Sequence, residues 1–333
     1  QPVFEGLAEW IVEGRPVLEL VDLGVEHALG RCRLELRGER YLHAFLTLAT
    51  AAFLDERCGS EVGLPAVVSG LDFLHSAEPS GPPKRSEVRG TFDRLDAAVR
   101  AGALAQATEL LPRSGEGLGG ASAWFSAGAA SCEGWGHRPI LTRTIWELCR
   151  LLPHRSEELL AAGLRYLVPH VPDLRRTREP ARWLPELSSS ADSGEAAVEA
   201  VLSGSGLEYF SRELERGRAA SDLAASLCTA ALRAYVACPR LRLLHGVTAS
   251  RAVLQAVEAV GSSAPDILIG GLGLVAEGWE QASRRGLARP LGPPPSAPSS
   301  LVRLAAGAAE LEPGPAFGHA TKLLEACLEL EQR

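Results

Sequence analysis

A histidine-led helical segment recurs three times along this chain of 333 residues. In each copy a histidine is followed by about three turns of largely small and apolar residues, and then by a Gly-Leu pair in a second apolar segment. The copies occupy residues 43–76, 137–170 and 245–282, and a partial fourth copy occupies residues 318–331. Because a helical hairpin cannot bury its apolar face alone, these copies are expected to stack on one another.

The composition agrees with this helical interpretation. Ala, Leu, Gly, Glu and Arg dominate, aromatic residues make up 5% of the chain, and 46% of the residues are hydrophobic. The sequence therefore predicts an all-α protein, with repeated helical hairpins packed into one helical domain over residues 1–333. The longest helical pattern covers residues 86–111, and a Pro-rich connector covers residues 289–300. A short alternating segment at residues 31–36 is compatible with a strand, but one such segment does not make a sheet.

Charge and cysteine usage exclude several classes of protein. The net charge is −7 and the basic residues are dispersed, so we expect no nucleic-acid partner. No run of eighteen apolar residues and no secretory signal is visible, so we expect no membrane association. The seven cysteines include no C-x-x-C pair, which favours reduced thiols and a cytoplasmic location. The oligomeric state cannot be predicted from these features.

Helical spacing predicts where the repeated histidines point. Positions i, i+4, i+7 and i+11 of a helix share one face. From the four histidines, these positions are small or apolar, so each imidazole is expected to face the interior. The positions are Thr47, Thr50 and Leu54 after His43; Leu141, Thr144 and Leu148 after His137; Ala249, Ala252 and Ala256 after His245; and Leu323, Ala326 and Leu330 after His319.

Inward-facing histidines at equivalent places in a repeat suggest a common metal site. Imidazole is a frequent ligand of transition metals, and helical bundles build metal sites from side chains on facing helices. We predict that the imidazoles of His137, His245 and His319 lie within about 8 Å of one another, a span that one metal ion or one water cluster can bridge. The alternative is that each is a separate core histidine, hydrogen-bonded to a backbone carbonyl.

Lys322 follows His319 by three residues and therefore lies on the same helical face. A lysine in the interior must be paired or neutralised, because burying a charge is costly. Its functional options are a base with a lowered pKa, or a carbamate that binds metal as a carboxylate does. In the alternative, its stem is buried while the ammonium reaches solvent and pairs with Glu325 or Glu329.

Other candidate residues have weaker signals. Aromatic residues surround His137 in the sequence and are able either to wall a pocket for an aromatic ligand or to pack the core; they are Trp124, Phe125, Trp135 and Trp146. The remaining histidines lie in predicted loops or at helix ends, where surface or capping roles are expected; they are His27, His75, His154 and His170. The chain has no phosphate-binding loop, nucleophile elbow or H-E-x-x-H motif.

At three of these segments the sequence resembles the questin oxidase-like family. Residues 243–254 (LLHGVTASRAVL) resemble its Leu-His-x-Val-Thr-Ser helix, and residues 319–326 (HATKLLEA) its C-terminal His-x-x-Lys helix. Residues 136–166 are similar to a histidine-led helix pair in the middle of the family pattern. The sequence departs from that pattern at Arg138 and Pro139, where small or apolar residues are more usual, and at Gly318, where an acidic residue is common.

The resemblance implies a helical oxygenase that acts on polycyclic aromatic molecules by oxygen insertion or ring cleavage. It also implies non-haem Fe²⁺, with the metal ligands His43, His137, His245, His319 and Lys322, the last as a carbamate. Lys322 and His137 are the expected catalytic residues, and a small aromatic substrate and dioxygen are the expected partners.

Two other functions remain open from the sequence. The first is a metal-independent oxidoreductase that uses diffusible NADPH, with the histidines as acid–base groups. The second is a non-catalytic helical scaffold that binds a protein partner and contains structural histidines.

Overall fold

The computed structural model describes residues 10, 13–31, 39–75, 91, 93–111, 117–129, 135–168, 193–261, 265–287 and 321–328. Every regular element in these ranges is helical, which confirms the predicted all-α fold. Four features named from the sequence lie outside the described residues: the candidate ligand His319, His170, the segment at residues 32–36 and the connector at residues 289–300.

The described residues form fourteen α-helices and one 3₁₀ turn, at Pro153–Arg155. In chain order they are α1 (Val17–Arg31), α2 (Glu39–Cys58), α3 (Ser60–His75), α4 (Leu95–Ala101), α5 (Leu104–Glu109), α6 (Gly117–Gly128), α7 (His137–Leu151), α8 (Ser156–Leu167), α9 (Ser193–Ser203), α10 (Gly206–Glu215), α11 (Ala220–Ala237), α12 (Leu241–Val260), α13 (Pro265–Arg284) and α14 (321–328).

The chain divides into two compact units. The first consists of residues Gln1–Arg33, Arg37–Ser80 and Pro298–Arg333, and the second of Leu34–Leu36 and Gly81–Ala297. Helices α2 and α3 of the first unit correspond to the first repeat copy, and α7–α8 and α12–α13 of the second unit to the other two. The single domain expected over residues 1–333 stays a prediction.

In the first unit, α2 and α3 form a tight hairpin around Gly59, whose positive φ of 86° suits glycine. A Cβ atom at Gly70 of α3 would lie 3.0 Å from Leu48 Cγ of α2, so the glycine allows the two helices to approach closely. The face of α2 that helical spacing placed inward is fully buried, as Thr47, Thr50 and Leu54 show. Helix α1 packs on both members of the hairpin.

In the second unit, α12 is the central helix and packs against α6, α7, α11 and α13. Its core positions Ala249, Ala252 and Ala256 are fully buried, as are Leu141, Thr144 and Leu148 of α7. The prediction of inward faces after His137 and His245 is therefore confirmed. Small residues along α12 leave room for several neighbours, which explains how one helix contacts four others.

The glycine of each Gly-Leu pair marks a close helix–helix approach in this unit as well. A Cβ atom at Gly163 of α8 would lie 2.8 Å from Trp124 Cη2, and one at Gly271 of α13 would lie 2.8 Å from Val253 Cγ2 of α12. Glycine is unfavourable inside a helix, but a larger residue at either position would separate the packed helices.

Gly271→Ala is expected to destabilise the protein by about 1–3 kcal/mol, because the new methyl group overpacks the contact between α12 and α13. Gly273 lies on the same helix, is exposed, and has no atom within 4 Å of the position a Cβ would take. Gly273→Ala is therefore a matched control, expected to be neutral or stabilising by up to about 1 kcal/mol. Urea unfolding of both variants checks the prediction, and equal free energies of unfolding would contradict it.

The long helix expected over residues 86–111 is wrong in its described part. Helix α4 ends at Ala101, and α5 begins at Leu104. Gly102 adopts a left-handed conformation with φ 77°, and the amide of Ala103 donates to the carbonyl of Ala98. This is a C-terminal glycine cap, which outweighs the continuous apolar periodicity of the segment.

Candidate functional site

His137 and His245 form a buried pair in the second unit. Their ring centroids lie 4.8 Å apart with an interplanar angle of 81°, an edge-to-face arrangement. Both residues are buried, with exposed fractions of 7% and 5%. One ring nitrogen of each lies within 4.8 Å of the other, while two bonds of about 2.1 Å to a common ion span up to about 4.2 Å. A small side-chain rotation would therefore allow both imidazoles to bind one metal ion.

The turn that precedes α7 brings His137 to this position. Trp135 and Gly136 both have positive φ, at 66° and 77°. A Cβ atom at Gly136 would lie 2.5 Å from Ala249 Cβ and 2.7 Å from Leu274 Cδ2, so only glycine allows the turn to pack directly on α12 and α13. His137 is the first residue of α7, at the positive end of the helix dipole.

Arg138 has a structural role next to the pair. Its side chain is buried and donates one hydrogen bond to the carbonyl of Leu167, at 2.7 Å, and another to the carbonyl of Ala127, at 3.2 Å. These carbonyls belong to the last turns of α8 and α6, where helices leave acceptors without an intrahelical donor. The guanidinium thus joins two helix ends to α7.

The aromatic residues near His137 differ in their roles. Trp124 is fully buried, and its indole N–H donates to the carbonyl of Thr142, at 2.8 Å. Phe125 packs edge-on against Trp146, with ring centroids 6.1 Å apart. Trp135 contacts a histidine of the pair, since its ring lies 5.6 Å from that of His245. Trp124 and Phe125 therefore belong to the core, and Trp135 borders the candidate site.

In the first unit, Lys322 is buried beside His43. Lys322 Nζ lies 3.0 Å from His43 Nδ1, and the lysine side chain is 2% exposed. The alternative in which this lysine reaches solvent is therefore wrong. Phe73 of α3 completes the cluster, because its ring stacks on His43 at 5.4 Å and lies 5.4 Å from Lys322 Nζ.

Burial sets the protonation of Lys322. Desolvation lowers the pKa of its ammonium from the ordinary 10.5 to about 7, against a smaller opposing effect of the Glu325 carboxylate. A neutral lysine amine can accept a hydrogen bond from the Nδ1–H of His43. In that state His43 Nε2 carries the lone pair, which is the form in which histidine binds a metal ion or accepts a proton.

Glu325 is a second buried ionisable residue on α14. It is 3% exposed and accepts a hydrogen bond of 2.5 Å from the Thr50 hydroxyl of α2. It lies one helical turn after Lys322, so its charge acts on the lysine without solvent screening. The cluster of His43, Phe73, Lys322 and Glu325 thus combines two bases, one acid and an aromatic wall.

Among the predicted site residues, His137 lies against His245 in the second unit, and His43 lies against Lys322 in the first. His319 lies outside the described residues, so its predicted distance from His137 and His245 stays a prediction. The histidines expected at the surface are exposed, namely His27, His75 and His154.

Phe73 and the role of Arg138 were missed from the sequence. Phe73 follows the repeat glycine Gly70 by three residues, and the equivalent residues after Gly163 and Gly271 are the buried Tyr166 and Leu274. That shared register is a signal from which Phe73 could have been found. Arg138 has no such signal, because its acceptors are distant backbone carbonyls.

Comparison with known proteins adds no relative. No protein-family profile, curated protein or solved structure matches this chain. Within the described residues, no helix has the length and apolar character needed to cross a membrane.

Proposed function

We propose that this protein is a metal-dependent oxygenase that acts on an aromatic or polycyclic small molecule. The observation that carries the proposal is the buried pair of His137 and His245, held edge to face by a turn that only glycine permits. Two buried imidazoles this close favour a shared metal ion over two separate structural histidines. Fe²⁺ is the proposed metal, and when bound it would supply the activation of dioxygen.

The repeat in the sequence extends the proposed ligand set to His43, His319 and Lys322. For Lys322, the pKa of about 7 supports the carbamate chemistry proposed for it. A neutral lysine Nζ adds to the carbon of carbon dioxide and releases one proton, which gives an anionic carbamate. In the tautomer of His43 that carries its proton on Nε2, the lone pair of Nδ1 lies 3.0 Å from Nζ and can accept that proton. The proposed catalytic roles remain with His137, as a ligand that also contacts substrate, and with Lys322.

The two other functions differ in a measurable way. An NADPH-dependent oxidoreductase would need no metal and would oxidise NADPH. A scaffold would need neither, and would have no use for a buried lysine whose charge is costly to the fold. The buried Lys322 therefore favours a chemical role.

Purification without a histidine tag, followed by metal analysis, tests the proposal. We expect about one iron per chain, lost on treatment with a chelator. Dioxygen uptake with a hydroxylated anthraquinone as substrate should require the iron and should not require NADPH. Absence of bound metal together with metal-independent oxidation of NADPH would establish the first alternative. Absence of metal, dioxygen uptake and NADPH oxidation would leave the scaffold.

A further inference from the structure

Trp135 is a large aromatic residue that remains exposed at the edge of a buried histidine pair. Its side chain is 42% exposed, whereas His245, which it contacts at 69° and 5.6 Å, is 5% exposed. His245 in turn contacts His137. An exposed indole in contact with one buried imidazole, which itself contacts a second, provides an apolar surface near polar ring nitrogens, and this is the usual composition of a small-molecule site.

The backbone at Trp135 is unfavourable for tryptophan. Its φ of 66° lies in the left-handed region, and among the residues that the structure describes it is the one non-glycine with a positive φ. A bulky residue with such a conformation is a genuine outlier, and such outliers cluster at functional sites. Glycine would adopt this conformation without strain, and the indole is too exposed for core packing to explain its presence.

We propose that Trp135 is a specificity-determining residue, whose indole stacks on a planar aromatic ring and directs that ring toward His137 and His245. The inference deepens the proposed function and rests on it for the reaction at this site. The ligand class is a flat, uncharged aromatic molecule with at least one hydroxyl group. Its ring would stack offset on the indole face, and its hydroxyl group would point to the imidazoles.

The rival explanation is structural, with Trp135 acting only to hold His245 in place. The two explanations differ for Trp135→Gly. A substrate platform predicts that glycine weakens ligand binding while the unfolding temperature stays the same or rises, because backbone strain is relieved. A structural role predicts a clear fall in that temperature.

The probe is 1-naphthol, whose binding is measured by equilibrium dialysis with iron-loaded and with chelator-treated protein. We expect Trp135→Gly to raise the Kd about tenfold, and Trp135→Phe to keep it within about threefold, as an aromatic pair contributes. Trp279→Phe is the matched control, since this indole donates to the carbonyl of Leu202 and is outside the pair. It should leave the Kd unchanged.

The inference is overturned if the wild-type protein does not bind 1-naphthol, if Trp135→Gly binds it as the wild type does, or if this variant unfolds at a clearly lower temperature. Binding to chelator-treated protein separates this result from the proposed function. Loss of binding in Trp135→Gly with no iron in the wild-type protein would support the aromatic platform and reject the oxygenase.

Discussion

His245→Ala is expected to reduce the iron content from about one ion per chain to less than about a tenth, and to remove the iron-dependent uptake of dioxygen. Only two imidazoles approach each other in the described part of the second unit. The variant loses one of these two proposed ligands, and even loss of a supporting residue at a metal site lowers affinity by about 10–100-fold. The same result is expected for His137→Ala.

Matched controls are available on the surface. His75 and His154 are exposed, so His75→Ala and His154→Ala should keep full iron content. Because a buried imidazole also fills space, His245→Asn should be measured beside His245→Ala, and circular dichroism should verify that the metal-free variants remain helical. Unchanged iron in both His245 variants would contradict the proposed metal site.

The wider ligand set is tested separately. His43→Ala, His319→Ala and Lys322→Ala should each lower the iron content if the repeat in the sequence reflects a common metal site. Retention of iron in these three variants, with its loss in His137→Ala, would limit the site to the histidine pair of the second unit.

The helical spacing of the sequence was sufficient to predict the buried faces. Thr47, Leu141 and Ala249 each follow a repeat histidine by four residues, and each is fully buried. This works because helix geometry is local, and a face with no charge has to be covered by another helix. For the same reason, the sequence was sufficient to predict which segments of the chain form the two helices of each hairpin.

The features that could not be predicted depend on non-local contacts or on single backbone torsions. Spacing placed Lys322 on an inner face, but it could not decide between burial and exposure, since that depends on Phe73 and on which residues cover α14. The turn at Trp135 required a left-handed tryptophan, which sequence preferences disfavour. The predicted helix over residues 86–111 failed because one torsion, at Gly102, ends α4.

Lys322→Met is expected to stabilise the metal-free protein at pH 6–7, in buffer without carbon dioxide. The pKa of Lys322 is about 7 in the folded chain, against 10.5 ordinarily. Between pH 7 and pH 10.5 the unfolded chain therefore binds up to one more proton than the folded chain. The free energy of unfolding of the wild type consequently rises with pH across this interval. At about 1.36 kcal/mol per pKa unit, the cost removed by methionine at pH 7 or below is on the order of 5 kcal/mol.

Denaturant unfolding of both proteins from pH 6 to 9.5 checks this prediction. The advantage of Lys322→Met should be largest at pH 6–7 and should fall by about 1.36 kcal/mol for each pH unit above 7. Lys322→Arg provides the contrast, because an arginine remains charged throughout this range and should stay destabilised at every pH. Parallel curves for the wild type and Lys322→Met would mean that Lys322 is protonated equally in the folded and unfolded chains.

Addition of bicarbonate then connects the stability of Lys322 with its chemistry. Carbamate formation consumes the neutral amine and releases a proton. It therefore lowers the fraction of folded chains in which Lys322 is protonated. At pH 7–8, bicarbonate added to the iron-loaded proteins should therefore stabilise the wild type further and leave the stability of Lys322→Met unchanged, because a ligand that binds only the folded chain raises its stability. If iron stabilises both proteins equally with or without bicarbonate, Lys322 is a buried neutral base and is not a carbamate ligand.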